Sequence, residues 1–101
     1  MAKVLYSPGF GAGWSSWNME IPREFMCMDP TLIEMAEAGA TEEDVEKYIL
    51  TKYEGVYTAY TGGWRGIQVA ELPTATLFRI KEYDGSESIV VFDLKEYMVA
   101  I

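Results

Sequence analysis

Apolar residues recur with helical spacing in the middle of this chain and with strand spacing after it. Val45, Tyr48, Ile49 and Tyr53 follow one another at intervals of one, three or four residues, which places them on one side of a helix. From residue 67 onward the apolar positions alternate with polar ones, as in a half-buried strand. The pattern predicts helices followed by a run of strands, which is the order of an α+β protein.

Two helices have clear start and stop signals. Asp29 suits an N-cap, and Pro30 suits the first helical position because its missing N–H needs no partner there. Gly39 is a natural end for this helix. Thr41 begins a second helix as its N-cap, and Gly55 is expected to end it.

The remaining apolar runs are predicted as short strands. Residues 25–28 are expected to form a short strand or a buried turn. The other predicted strands are Ala2–Tyr6, a strand with Ile67, Val69 and Leu72 that ends at Pro73, residues 76–83, residues 86–92 and a last short strand in residues 97–101.

Asp84-Gly85 predicts a two-residue hairpin turn, and this turn fixes the register of the two strands beside it. One face would then carry Phe78, Ile80, Ile89 and Val91, with Glu82 opposite Glu87 near the tip. Like charges across two strands are unfavourable. We favour a solvated tip for both carboxylates. The alternative is a cationic group between them, for which Arg65, Arg79, Lys81 or a ligand are candidates.

We therefore expect one α+β domain over residues 1–101, with a small twisted, mostly antiparallel sheet of four to five strands packed against two short helices. A domain this small, with 14% aromatic residues, is expected to leave apolar surface that a partner covers. The free face or edge of the sheet is a candidate contact for a homo-oligomer.

Composition narrows the function. A formal charge of −8 makes direct nucleic-acid binding improbable, and favours either plain solubility or attraction to a basic protein partner. No run is long and apolar enough to predict a membrane span or a signal peptide, and the single cysteine, Cys27, fits a reducing compartment. We expect a cytoplasmic protein.

Catalytic chemistry is poorly represented. The chain has no histidine, which removes Ser-His-Asp and Cys-His catalysis and the usual zinc sites. Cys27 is interpreted as a buried filler. We expect no metal, no cofactor and no enzyme activity. An enzyme that uses Glu82 and Glu87 as acid and base is the weakest of the three hypotheses, of which the other two are given below.

The richest segment for binding is residues 6–18, in which glycines, aromatics and hydroxyl groups alternate. Residues 60–65 repeat this chemistry and add an arginine. Glycine N–H groups could hold a phosphate, and aromatic rings could stack on a base, or the same rings could plug the core. The predicted ligand-binding residues are Ser7, Gly9, Phe10, Gly11, Gly13, Trp14, Trp17, Asn18, Trp64, Arg65 and Arg79.

Residues 3–18 and 78–87 resemble small uncharacterised proteins encoded by tailed bacteriophages and prophages. The resemblance covers most of the chain. It implies a protein that counters host defences, and its expected location is then the cytoplasm of the host cell. The leading hypothesis is a non-catalytic anti-defence protein that binds a small nucleotide-like immune signal. The alternative is an acidic protein that inhibits a nucleic-acid-binding host effector, as anti-CRISPR proteins do.

Overall fold

The computed structural model describes residues 1–53, 59–91 and 98–101, and within them the chain forms three α-helices and five β-strands. The helices are α1 (Arg23–Met28), α2 (Pro30–Ala38) and α3 (Glu42–Lys52). The strands are β1 (Ala2–Tyr6), β2 (Gln68–Leu72), β3 (Leu77–Tyr83), β4 (Ser86–Val91) and β5 (Met98–Val99). The predicted α+β class is confirmed. Short 3-10 helices cover Ser15–Trp17 and Gly62–Gly66.

The strands are divided between two antiparallel sheets, where the sequence predicted one. The first sheet pairs β1 with β2, and the second has the order β4-β3-β5. The two sheets meet where β1 ends, because the Glu87 N–H donates to the Ser7 carbonyl at 2.8 Å. Pro8 has no N–H to continue this ladder, and its carbonyl accepts from the Ser86 hydroxyl of β4 at 2.8 Å.

The β3–β4 hairpin has the predicted register. Tyr83 pairs with Ser86, Glu82 with Glu87 and Phe78 with Val91. Asp84 and Gly85 form the turn with φ of +49° and +85°, as the two-residue turn that matches strand twist requires. Glu82 and Glu87 are therefore directly opposite each other.

Residues 25–28 are helical, so the prediction of a strand or buried turn there is wrong. They belong to α1, whose Met26, Cys27 and Met28 are all buried. The helix ends at Asp29, where ψ is 124°, because a residue before proline is held in an extended conformation. An apolar run this short does not distinguish a strand from a buried helix by its pattern alone.

The other two helices begin where the sequence predicts. The Asp29 carboxylate accepts from the Leu32 N–H at 3.1 Å, and Gly39 ends α2 with φ +74°. The Thr41 hydroxyl accepts from the Asp44 N–H at 3.2 Å at the start of α3. Gly55, expected to end this helix, lies outside the described residues, as do Phe92 and Tyr97 of the last two predicted strands.

Two buried clusters lie on either side of β1. Leu5 belongs to the cluster that includes residues of α2 and α3 together with Trp14 and Trp64. Val4 belongs to the cluster under the three-stranded sheet. Successive strand residues point to opposite faces, so β1 is buried on both. Helix α1 likewise contributes Met26 to the first cluster and Cys27 to the second.

Within the described part of the chain, no helix has the length and apolar character that crossing a membrane demands.

Candidate functional site

The glycine loop, residues 7–18, is built around the buried carboxylate of Glu87. Glu87 is 1% exposed. Its Oε1 accepts from the Ser7 N–H at 2.9 Å, and its Oε2 accepts from the Trp14 N–H at 2.8 Å. The same Oε2 accepts from the Ser16 N–H at 3.1 Å and from the Ser16 hydroxyl at 2.5 Å. A buried carboxylate is tolerable only with such a set of donors, so the loop and this side chain require each other.

The solvated tip predicted for both carboxylates is therefore wrong for Glu87. Glu87 lies on the inner face of the hairpin with Ile89 and Val91, and the glycine loop folds over that face. Among the described residues, the groups that donate to its oxygens include the N–H groups of Ser7, Trp14 and Ser16 and the Ser16 hydroxyl. Backbone N–H groups arranged around an anion form the same kind of nest that elsewhere binds phosphate.

Glu82, opposite Glu87, is exposed and has a different role. Its Oε2 accepts from the Trp17 indole N–H at 3.0 Å and from the Gly85 N–H at 2.8 Å. The Trp17 and Gly85 hydrogen bonds lower the pKa of Glu82 below its ordinary value, because they favour the ionised form. Glu82 thus fixes the Trp17 ring against the hairpin tip.

Trp14 and Trp64 are core residues. Trp14 is 0% exposed, and its indole N–H donates to the Met26 carbonyl at 2.6 Å. Trp64 packs against it with 5.4 Å between ring centroids and donates its indole N–H to the Ala40 carbonyl at 2.8 Å. In this conformation neither ring offers a face to a ligand, and the core-plug interpretation describes both.

Asn18 joins the glycine loop to the second aromatic segment. Its side-chain NH₂ donates to the carbonyls of Trp14 and Tyr60 at 2.7 and 2.9 Å, and its Oδ1 accepts from the Tyr60 N–H at 2.8 Å. These three bonds occupy the amide. Asn18 is therefore a buried positioning group for Tyr60.

Two glycines allow backbones to touch. A Cβ on Gly63 would lie 2.5 Å from the Gly13 carbonyl oxygen, and one on Gly85 would lie 2.4 Å from the Ala12 nitrogen. Close approach between loop segments is one of the uses of glycine, and here it brings residues 60–65 and the hairpin tip against the glycine loop.

Trp17 and Tyr60 remain at the surface and contact each other, with 4.8 Å between ring centroids. Trp17 is 37% exposed and Tyr60 is 42% exposed. They line a cleft of about 280 Å³ with Met19, Ile21 and Ala59, and Glu20 is the charged residue among the described residues that line it. We call this the aromatic cleft. A groove of about 560 Å³ shares residues 18–21 with it and continues to Arg23.

A further cleft of about 170 Å³ lies between Arg23 and Arg79 and shares Ser15, Ser16 and Arg23 with this groove. We call it the arginine cleft. Arg65 lies elsewhere, where its Nε donates to Glu42 at 3.0 Å.

The structure thus divides the predicted site residues into three groups. Ser7, Gly13, Trp14, Asn18 and Trp64 are buried; Gly9, Phe10, Gly11, Trp17 and Arg65 are exposed; and Arg79 is half-buried. Sequence reasoning did not select Met19, Glu20 and Ile21. The one signal for them was their position directly after the aromatic loop.

Cys27 is buried beneath this region, as interpreted from the sequence. Burial raises the pKa of its thiol to about 12. Among residues 1–53, 59–91 and 98–101, no three Asp, Glu, Cys or His side chains gather as a metal site would require.

Comparison of the chain with protein-family models, with curated proteins and with solved structures finds no match. The resemblance to phage-encoded proteins stays a prediction.

Proposed function

We propose that this protein is a non-catalytic binding protein that attaches to a basic protein surface through the aromatic cleft. The observation that carries the proposal is the gathering of exposed Trp17, Met19 and Tyr60 around one cleft in a protein of net charge −8.

The exposed residues are those typical of protein interfaces. Met19 is 91% exposed, beside the partly exposed rings of Trp17 and Tyr60. Trp, Tyr and Met are enriched in the buried centres of interfaces, and Trp and Tyr supply many of their hot spots. Phe10 in the glycine loop and Tyr83 in the β3–β4 hairpin are also exposed. These two segments are joined by a hydrogen bond of 2.6 Å from the Gly11 N–H to the Asp84 carbonyl.

Hydrogen bonds within the protein hold the residues of the aromatic cleft in place without a partner. The Trp17 indole is bonded to Glu82, the Tyr60 backbone is bonded to Asn18, and Glu87 holds the loop that carries Trp17. Side chains that are already ordered lose less conformational entropy on binding, which favours affinity.

The charge of the protein selects a basic partner. An acidic molecule is steered toward a basic surface, and association is faster as a result. Surfaces that bind nucleic acid are basic, so a nucleic-acid-binding host effector of the CRISPR type is the partner class we propose. Occupation of its groove by an acidic protein would exclude the nucleic acid.

The arginine cleft supports a second candidate, the binding of a small nucleotide-like immune signal. Arg23 and Arg79 could hold a phosphate there. At about 170 Å³ the cleft is smaller than most small-molecule sites, which are roughly 300–1,000 Å³, so the rest of a nucleotide would lie in the groove of about 560 Å³ that shares Ser15, Ser16 and Arg23 with it. The N–H groups of Ser7, Trp14 and Ser16 already serve Glu87, which places this candidate second.

The experiment is a comparison of proteins co-purified from phage-host cells by three tagged forms. These are the wild type, the cleft variant Met19→Ser/Tyr60→Ser, and the control Val99→Ser/Ile101→Ser, which also loses two exposed apolar side chains but away from the cleft. We expect wild type and control to retain the same basic protein in a fixed ratio, released by salt, and the cleft variant to lose it.

Equal recovery by the cleft variant would contradict the proposal. Native mass spectrometry of the same preparations gives the other outcome: a retained molecule of nucleotide mass, lost in Arg23→Gln, would move the assignment to the second candidate.

A further inference from the structure

The aromatic cleft has the size and lining for one long cationic side chain. We propose that it receives an arginine side chain of the partner. The guanidinium would lie on the Trp17 and Tyr60 rings and next to the Glu20 carboxylate. This inference rests on the proposed function, because the arginine would belong to the basic protein bound there.

The walls match the two parts of such a side chain. Ile21, Ala59 and Met19 are apolar and suit the aliphatic stem, which long cationic side chains bury while the charged end stays near water. Trp17 and Tyr60 also line the cleft, with their rings tilted 55° to each other, and a guanidinium is attracted to the electron density of such rings and stacks on them.

The charge around the rings is negative. Glu20 lines the cleft, and Glu82 is bonded to the Trp17 indole N–H at 3.0 Å. A planar guanidinium can pair with a carboxylate through two N–H groups while it stacks on a ring. The Trp17 and Gly85 hydrogen bonds favour the ionised form of Glu82 and lower its pKa.

A nucleobase fits the same cleft less well. A base is recognised by directed hydrogen bonds as well as stacking, and Asn18, whose amide lines the cleft, already uses both of its N–H donors on Trp14 and Tyr60.

The test is a titration followed by NMR with two capped pentapeptides, Gly-Gly-Arg-Gly-Gly and its citrulline counterpart, which has the same shape without the charge. The chain has three tryptophans, so three indole N–H signals report separately, and Trp17→Phe assigns one of them. We expect the arginine peptide to shift the Trp17 signal saturably and to leave those of buried Trp14 and Trp64 in place.

Two matched variants separate the cleft from general attraction. Glu20→Gln and Glu34→Gln each remove one negative charge, and Glu34 is exposed on α2 outside the cleft. We expect Glu20→Gln to weaken arginine-peptide binding by about two- to fivefold, and Glu34→Gln to leave it unchanged.

Equal shifts from the arginine and citrulline peptides, or equal effects of Glu20→Gln and Glu34→Gln, would overturn the inference. Its failure is distinguishable from that of the proposed function. If the cleft variant loses its native partner while the two peptides bind alike, the function stands without the arginine. If the arginine peptide is preferred while the native partner ignores the cleft variant, the function fails.

Discussion

Replacement of Glu87 by glutamine should destabilise the protein strongly, although the two side chains have nearly the same shape. Glutamine keeps one carbonyl oxygen. If that oxygen stays with Trp14 and Ser16, the new NH₂ group faces the Ser7 N–H, donor against donor.

The size of the effect follows from the bonds. A buried donor left without a partner costs about 1–3 kcal/mol, and each of the remaining three bonds to Oε2 loses roughly 1 kcal/mol when its acceptor becomes neutral. Removal of the buried charge also removes its desolvation penalty, which offsets part of this loss. The net loss in the free energy of unfolding is about 2–4 kcal/mol, which lowers Tm by on the order of 10–25 °C in a domain of this size.

Urea denaturation followed by tryptophan fluorescence measures this loss, and Glu82→Gln is the matched control. Glu82 is directly opposite Glu87 and carries the same charge, but it is exposed, so its replacement should have a much smaller effect. If the two variants lose the same stability, Glu87 does not organise the loop as described.

Three further predictions concern neighbouring groups. Trp14→Ala should cost about 3–5 kcal/mol in urea denaturation, because it empties a fully buried site, whereas Phe10→Ala at the exposed loop tip should not. Between pH 9 and about 12 the Cys27 thiol ionises in the unfolded chain but stays protonated in the folded protein. The free energy of unfolding should therefore fall by about 1.4 kcal/mol per pH unit more than it does in Cys27→Ala. Parallel pH profiles of the two proteins would contradict burial of the thiol. Trp17→Phe should raise the pKa of Glu82 toward its ordinary value in a ¹³C NMR titration, since the indole donor is lost; an unchanged titration would remove that hydrogen bond from the account.

Local signals in the sequence were enough to predict much of the fold. The Asp29 and Thr41 caps, Gly39 and the Asp84-Gly85 turn each depend on one or two residues, and the structure has all of them. The paired glutamates followed from the turn by counting.

The burial of Glu87 could not be predicted in this way. It depends on the glycine loop, some seventy residues earlier in the chain, folding over one hairpin strand and pointing three N–H groups at the carboxylate. The general tendency of carboxylates to be exposed favours the opposite result. The same long-range packing decides that Trp14 is buried while Trp17, three residues later, stays at the surface.

Amide hydrogen exchange on the co-purified complex shows whether the partner binds at the aromatic cleft. Binding there should slow exchange in residues 17–21 and 59–61, and should leave exchange on the exposed side of α3 as it is in the free protein. Protection confined to α3, with unchanged exchange around Trp17 and Tyr60, would contradict it.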